Sequence, residues 1–322
     1  MQGHLTTVLS NYVPSHVEKH LQFLDFNSLG ELFLGTSSLN TRFWTGSLWY
    51  YGAGIEPEKI DSNSCKTGLH TQTGVLDGRF LKDDLVVVGL DNGGIQLVRL
   101  TSEEDGGEVR YYLEEQSPVL EHDDLLTGLD TWTDGSLATA GADNRICVWN
   151  LNTALAHSYS SAHSGLLSDL GCHLTNTRLL SSCSSRVDTA VRIWDTREAK
   201  AATTIARLEQ GPTTVTWLGE NSLLVGCVTG ELLMLDTRNG NILSTVTNNN
   251  RPVYRARLSP SSTRLAVCYD DVMVDVLKVT EGKMELELSE TKHRDFVRGL
   301  AWRDDSTLWS AGWDQTVNRY NL

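Results

Sequence analysis

The sequence has few basic residues, no long apolar run and no paired-cysteine motif. Lys and Arg number 27 against 41 Asp and Glu, giving a formal net charge of −14, whereas a nucleic-acid-binding surface is basic. No window approaches the 18 consecutive apolar residues of a membrane-spanning helix, and the first residues lack the cationic and apolar regions of a signal peptide. We expect binding to neither nucleic acid nor membrane. The acidity either serves solubility or attracts a basic partner.

Signatures of metal and cofactor chemistry are also missing. The six cysteines are scattered, mostly among apolar neighbours, which is typical of small buried residues in a reducing compartment and gives no spacing for zinc ligands. There is no glycine-rich phosphate loop and no exposed nucleophile–base pair. The sequence therefore predicts a protein that is not an enzyme and holds no cofactor or metal.

Internal repeats are the strongest positive signal. Segments 122–150, 163–195 and 293–321 share a leading His, a strand, a polar turn, a second strand, an Asp-bearing turn and a third strand that ends in an aromatic residue. Four weaker copies fill the remaining chain. The third-strand positions are separated by 49, 51, 45, 41, 42 and 43 residues, and they are Trp49, Val98, Trp149, Trp194, Leu235, Leu277 and Tyr320.

This period is that of a four-stranded propeller blade. The strands are short, β-branched and apolar, and Gly, Asn, Asp and Ser bound them. The rival all-β sandwich does not generate the recurring His–Asp–Trp register. We predict an all-β, seven-bladed WD-repeat β-propeller that forms one domain over residues 1–322. The last repeat stops at its third strand, so we expect the segment at 5–9 to close that blade and remove an open edge.

The recurring polar residues predict a buried hydrogen-bonded chain within each strong repeat. A His–Asp–Ser set also resembles a hydrolase triad, but an active site does not recur at the same place in several repeats. The structural interpretation is therefore favoured. The predicted sets are His122, Thr139, Asp143 and Trp149; His163, Ser181, Asp188 and Trp194; and His293, Ser310 and Asp314, with Tyr320 in place of Trp.

The first repeat carries an inserted loop at 37–45 (SSLNTRFWT), where other repeats use about four residues. An exposed Trp beside Arg is typical of a binding hot spot. The alternative is that Phe43 or Trp44 folds back onto the blade. The candidate contact residues here are Leu39, Asn40, Arg42, Phe43 and Trp44.

Four strings carry a resemblance to a known family. LGTSSLNTRFWTGSLW, CKTGLHTQTGV, EHDDLL and HRDFVRGLAW followed by SAGWDQTV resemble the WD-repeat subunit of the methylosome, the Valois-type partner of the type II protein arginine methyltransferase. The resemblance spans all seven repeats in order and is densest in the first and last.

The resemblance implies an adaptor. Proteins of this family bind the N-terminal barrel domain of the symmetric-dimethylating methyltransferase, stabilise it and help present basic substrates such as histone tails and Sm proteins. Catalysis and S-adenosylmethionine belong to the partner. The family also implies a hetero-octamer that works in cytoplasm and nucleus. It places a Trp at the position of Trp44 in a pocket of the barrel, flanked by an Arg at the position of Arg42.

Other segments keep two interpretations each. Arg294, Asp295, Phe296 and Arg298 form a second candidate group on the link between the last two repeats, where Phe296 belongs either to the interface or to the core. The acidic stretches 103–105, 114–115 and 123–124 either attract arginine-rich tails or are solvated surface.

A W-D-x-R box at 194–197, echoed at 235–238, offers a different function. In some propellers this box docks on the adaptor of a cullin ubiquitin ligase, which makes the propeller a substrate receptor. The same box also occurs for structural reasons, because its Asp and Arg pair within the turn. Receptors of that kind usually need a helical segment outside the propeller, and the sequence leaves little room for one.

Overall fold

The chain forms seven antiparallel sheets arranged as the blades of a propeller. The computed structural model describes residues 13–40, 43–150, 154–198 and 202–322. Blade 1 holds β1 (His20–Phe26), β2 (Leu32–Asn40), β3 (Phe43–Tyr51) and β4 (Thr67–Thr71), with one 3-10 turn at Pro57–Lys59. Blade 2 holds β5 (Val75–Lys82), β6 (Leu85–Leu90), β7 (Gly94–Asp105) and β8 (Glu108–Glu115), and the short β9 (Val119–Leu120) also pairs with β7.

The next five blades follow the same strand order. Blade 3 holds β10 (Leu126–Thr131), β11 (Leu137–Gly141), β12 (Ile146–Trp149) and β13 (Leu155–Tyr159). Blade 4 holds β14 (Leu167–Cys172), β15 (Leu179–Ser184), β16 (Ala190–Asp195) and β17 (Ala202–Arg207). Blade 5 holds β18 (Pro212–Trp217), β19 (Ser222–Cys227), β20 (Glu231–Asp236) and β21 (Ile242–Thr247). Blade 6 holds β22 (Val253–Leu258), β23 (Arg264–Tyr269), β24 (Val274–Thr280) and β25 (Lys283–Glu290), and blade 7 holds β26 (Val297–Asp304), β27 (Thr307–Gly312) and β28 (Val317–Asn321).

The first strands of the blades line the centre, and β26 packs on β1 to close the ring. Gly299 of β26 permits this closure, because a Cβ at that position would lie 3.2 Å from the backbone of Phe23 and Leu24. The predicted closing strand at 5–9 lies outside the described residues. Turns between second and third strands, and links into each first strand, share what we call the upper face. The remaining turns form the lower face.

The apolar core lies between the blades. Each hydrophobic cluster combines residues of two neighbouring blades, as when Leu21 and Trp49 of blade 1 pack with Ala301 and Trp309 of blade 7. Burying each large side chain contributes about 1.5–3 kcal/mol. Because sheet faces of adjacent blades interlock in this way, the blades stabilise one another around the ring.

A cluster of three charged residues bridges the central channel between blades that are not neighbours. Asp77 of β5 contacts Arg255 (2.8 Å) and Arg257 (3.2 Å) of β22. Burial disfavours the charge on Asp77, but the nearby guanidiniums outweigh that effect and hold its pKa below the ordinary value. Within the part of the chain that the structure describes, Asp169 of β14 forms no ion pair with an arginine. Burial therefore raises the pKa of Asp169 to about 6.

Blade 3 contains the predicted hydrogen-bonded chain. His122 Nδ1 lies 3.0 Å from Asp143, and its Nε2 lies 2.8 Å from Thr139 Oγ1. Trp149 Nε1 donates to the same hydroxyl at 2.9 Å. An ionised carboxylate only accepts, so Nδ1 carries the proton and Nε2 accepts from Thr139. Blade 7 repeats this arrangement through His293, Asp314 and Ser310, with Tyr320 Oη 3.2 Å from Ser310 Oγ.

In blade 4 the prediction of Ser181 is wrong, because Ser182 holds the network position. Ser182 Oγ lies 2.7 Å from His163 Nε2 and 2.8 Å from Trp194 Nε1. Ser181 Oγ instead donates to the Gly171 carbonyl. Successive strand residues point to opposite faces, and Ser182 pairs with Arg192, two residues before the Trp. Thr139 likewise pairs with Cys147, two residues before Trp149. The extra residues in the blade 4 turn displaced the sequence alignment by one position.

Blade 1 builds a related network around a glutamate, which the sequence did not reveal, and His70 of β4 lies beside that carboxylate at 3.4 Å. Glu18 is buried, accepts from Thr36 Oγ1 at 2.7 Å and contacts Ser47 Oγ. Trp49 Nε1 donates to Ser47 Oγ at 2.6 Å. A carboxylate therefore occupies the place that an imidazole takes in the stronger repeats.

Replacing Ser182 by Ala is expected to destabilise the chain by about 1–3 kcal/mol, because the His163 and Trp194 nitrogens would be left buried without partners. Ser181→Ala is the matched control and is expected to cost less, since Trp217 Nε1 still donates to the Gly171 carbonyl. Urea unfolding of both variants measures the difference. A larger loss for Ser181→Ala would contradict the assignment.

The blade 4 histidine predicts a pH dependence of stability. Burial lowers the pKa of His163 to about 4 against 6.5 for an ordinary histidine, although its bond to Asp188 opposes the shift. The unfolded chain then binds more protons between pH 6.5 and 4, so His163 makes the fold less stable as pH falls through that window. The quantity to measure is the difference in free energy of unfolding between wild type and the His163→Gln variant. We expect this difference, wild type minus variant, to decrease by roughly 1–3 kcal/mol from pH 7 to pH 4.5. A pH-independent difference in chemical denaturation would contradict this.

Candidate partner-binding face

The inserted segment of the first repeat is an extended hairpin rather than an irregular loop. Strands β2 and β3 are nine residues long, whereas the second strands of the other blades have five or six. Their pairing continues from the blade through Leu39↔Trp44 to Asn40↔Phe43. The predicted loop at 37–45 is corrected accordingly. Strand pairing satisfies the backbone groups of the described part of the hairpin, which lengthens the upper-face end of blade 1 as far as Asn40 and Phe43.

Two of the five predicted contact residues can be placed by their side chains. Leu39 is 53% exposed and Trp44 is 36% exposed. The Trp44 ring lies 5.6 Å from His20, and a Cβ on Gly74 would come within 2.9 Å of Trp44 Cβ. Trp44 therefore rests on the blade yet keeps an accessible edge. Arg42 and the side chains of Asn40 and Phe43 lie outside the described residues.

The second predicted group divides into exposed and buried members. Arg294 is exposed and Phe296 is half-buried. Arg298 is only 7% exposed, so its prediction as a surface contact is wrong. Its guanidinium lies over Tyr254 (4.1 Å), Phe296 (4.7 Å) and Trp313 (5.1 Å), and it bonds Asp270 at 2.7 Å. Arg298 therefore supports the aromatic residues from below, where its cation–π contacts hold them in place.

An aromatic row joins the two groups, and sequence reasoning missed its central members. Trp313 lies 5.6 Å from Phe296 and 4.7 Å from His20, which in turn contacts Trp44. Trp313 occupies the turn position that holds Ala142 in blade 3. A tryptophan where a related repeat has alanine was the available signal. The row runs from the hairpin tip toward the channel mouth.

The channel mouth is a cavity of about 370 Å³ beside this row. Its lining includes Tyr254, Arg255 and Arg298, together with Leu166 on the opposite side. Since Arg255 is paired with Asp77, and Arg298 with Asp270, this lining is largely charge-neutralised. The upper face around the mouth therefore offers apolar and aromatic groups more than net charge.

The W-D-x-R box lies at the lower-face end of β16. Arg197 bonds Asp195 of the same turn through Nε at 2.9 Å, and Arg238 bonds Asp236 in the same way at 2.9 Å. These side-chain bonds lower the pKa of both carboxyls to about 2. Both arginines are thus engaged within their own turns, as the structural interpretation of the box expects.

The acidic residues of blade 2 lie on a second long hairpin. Glu103, Glu104 and Asp105 end β7, and Glu108 begins β8. All four are exposed on a projection of the lower face. Within the described ranges, no group of three or more His, Cys, Asp or Glu is placed to hold a metal ion. No helix among the described residues has the length and apolarity to cross a membrane.

Substituting Arg298 by Ala is expected to destabilise the chain by about 1–3 kcal/mol, because it removes the ion pair with Asp270 and three ring contacts. Arg294→Ala is the control and should stay within about 0.5 kcal/mol, since Arg294 bonds Asp314 through its backbone nitrogen. Thermal unfolding distinguishes the two. If both substitutions left the melting temperature almost unchanged, the role of Arg298 in supporting the aromatic rings would be contradicted.

Comparisons with known proteins agree with this architecture. Residues 115–150 match the family described as WD domain, G-beta repeat. A chain from the crystal structure of the mitotic checkpoint complex superposes with a TM-score of 0.70 at 16% identity, covering 100% of this chain and 95% of that one. This last likeness concerns the fold alone.

Sequence relatives extend the comparison. The p21-activated protein kinase-interacting protein 1-like of Gallus gallus is 22% identical over 225 residues, which is 70% of this chain and 57% of the relative. The methylosome protein WDR77 of Xenopus laevis is 29% identical over 318 residues, which is 96% of this chain and 91% of the relative. The chain is a seven-bladed WD-repeat β-propeller that is similar, along nearly its whole length, to the methylosome protein WDR77 of Xenopus laevis.

Proposed function

We propose that the chain is a non-catalytic adaptor that binds and stabilises a symmetric-dimethylating protein arginine methyltransferase. The upper face is the contact surface, and the barrel domain of the methyltransferase is the partner. The similarity to the Xenopus laevis methylosome protein supports the class of partner. The observation that carries the proposal is the projecting β2–β3 hairpin with its exposed Leu39 and Trp44.

The hairpin is suited to binding because it is ordered before the partner arrives. Its strands pair as far as Asn40 and Phe43, and Trp44 already lies against His20 and Gly74. A side chain that keeps its conformation on binding loses little rotamer freedom. A part-exposed Trp on a rigid support is the usual form of an interface hot spot.

Phe296 and Trp313 extend the same surface. They meet edge to face at 5.6 Å beside His20. Arg298 fixes both rings from below, so they offer a firm apolar shelf next to Trp44. A partner pocket that receives Trp44 would cover this shelf as well, and would bury the parts of Phe296 and Trp313 that remain accessible in the chain alone.

Substrate presentation uses a different part of the molecule in this proposal. The acidic tip formed by Glu103, Glu104, Asp105 and Glu108 lies on the face away from the hairpin of blade 1. Its charge attracts arginine-rich tails of histones and Sm proteins. Methyl transfer takes place in the partner. The assembly is a hetero-octamer that works in cytoplasm and nucleus.

Trp44→Ala tests the proposal by co-expression with the type II methyltransferase of the same organism. Truncating a hot-spot Trp costs about 2 kcal/mol or more, a loss of roughly 30-fold in affinity. Wild type should elute as a large complex on a sizing column, and the variant should elute separately. Circular dichroism checks that the variant is folded.

The matched control is Leu29→Ala. Leu29 is 62% exposed and lies in the β1–β2 turn of the lower face, on the same blade as Trp44. The Leu29→Ala variant should co-elute with the methyltransferase, as wild type does. If wild type itself fails to co-elute, the adaptor function is wrong; if Trp44→Ala still co-elutes with unchanged affinity, the hairpin is not the anchor.

A further inference from the structure

We propose that the contact surface for the methyltransferase crosses the whole upper face and ends in a second apolar anchor on blades 4 and 5. This anchor consists of Leu166, Val187 and Val228, called here the blade 4–5 patch. The inference rests on the function proposed above. It adds a site on the far side of the channel from Trp44, where the sequence analysis predicted no partner contact.

The blade 4–5 patch is exposed and contiguous. Val187 is 89% exposed, Leu166 is 44% exposed and Val228 is 43% exposed. A Cβ on Gly165, the neighbour of Leu166, would come within 1.9 Å of the Arg186 carbonyl, so this link packs directly on the Val187 turn. A Cβ on Gly211 would meet both Ser185 O (2.9 Å) and Val228 Cγ2 (3.3 Å). The three side chains therefore project from loops in direct contact.

The backbone of the Val187 turn is strained. Val187 has φ 66° and Thr189 has φ 45°. Residues branched at Cβ rarely adopt the left-handed region, because the Cβ approaches the following backbone. A strained, fully exposed valine does nothing for folding, since it neither packs in the core nor suits its backbone. Such strain is usually kept where the resulting side-chain position serves a site.

Asp188, between the two strained residues, holds the turn in this conformation. Its buried carboxylate contacts His163 Nδ1 (2.8 Å), Arg192 Nη2 (3.1 Å) and Arg207 Nη1 (2.8 Å). This carboxylate belongs to the hydrogen-bonded network of blade 4. The turn is thus fixed before binding, and Val187 is presented in one position.

The patch continues into the proposed contact surface. Leu166 lines the channel-mouth cavity together with Tyr254, which is 37% exposed. Tyr254 stacks on Arg298 and so connects to Phe296, Trp313 and Trp44. Leu125 on blade 3 is also 43% exposed on this face. A single folded domain that engages Trp44 and spans the channel mouth would cover all these groups, whereas a short peptide on one blade would leave most of them in water.

Val187→Asp tests the second anchor with the purified methyltransferase as the titrant. This substitution puts a charged carboxylate where the proposed interface is apolar. We therefore expect the dissociation constant for the methyltransferase to rise at least 10-fold. Val109→Asp is the matched control. It makes the same substitution at another exposed valine, 49% accessible, on the lower-face hairpin of blade 2, and should leave the dissociation constant within twofold of wild type.

Val187→Gly separates binding from folding. Glycine accepts positive φ without penalty, so this variant should melt at the same temperature as wild type or higher, yet bind several-fold more weakly. Weaker binding with intact or improved stability supports the anchor. Unchanged binding of both Val187 variants to a methyltransferase that wild type binds would overturn it, and so would equal losses for Val109→Asp and Val187→Asp.

Two further outcomes are distinguishable. If wild type does not bind the methyltransferase at all, the proposed function fails along with this inference. If the chain alone sediments as a dimer that Val187→Asp converts to monomer, while methyltransferase binding is unchanged, the blade 4–5 patch is an interface between copies of this chain and the assignment to the methyltransferase is wrong.

Discussion

Packing of β26 on β1 is the contact on which the rest of the molecule depends. Seven blades form a ring only if the last meets the first, and the small Gly299 lets the two backbones approach. This contact brings Trp313 to within hydrogen-bond reach of Gln22 and stacks it near His20. The aromatic row on the upper face therefore exists because residues about 290 positions apart are held side by side. Opening the ring would separate Trp44 from Phe296 and Trp313.

Charged residues in the central channel add a second connection between distant blades. The pairing of Asp77 with Arg255 and Arg257 links blade 2 to blade 6 across the axis. A buried pair gains little net stability over apolar packing, but breaking it leaves an uncompensated charge. Removing one of these three charged residues is therefore expected to cost more stability than the intact cluster contributes. Asp169 shows the contrast, because it forms no ion pair with an arginine in the described part of the chain and burial of its carboxyl raises its pKa to about 6.

The polar networks within the blades show how one architecture tolerates different residues. Blades 3, 4 and 7 use His and Asp, whereas blade 1 uses Glu18 with Thr36 and Ser47. In each case a buried hydroxyl meets the aromatic residue of the third strand. What is kept is the hydrogen bonding of a buried indole or phenol, since a buried polar group without a partner is costly. In blade 4 this network also fixes the strained turn that presents Val187, so one carboxylate serves both stability and the surface.

The sequence by itself determined the repeat number, the third-strand positions and most members of the polar networks, because these depend on a period and on residue types that recur along the chain. It also indicated Trp44 and Leu39, since an apolar insertion in a turn is visible without coordinates. Only the tertiary structure decided which of two buried neighbouring serines bonds His163 and Trp194, that Arg298 is buried beneath three rings, and that Val187 stands exposed at positive φ. Those outcomes depend on strand register, on ring closure and on contacts between blades, which bring together residues that no local pattern connects.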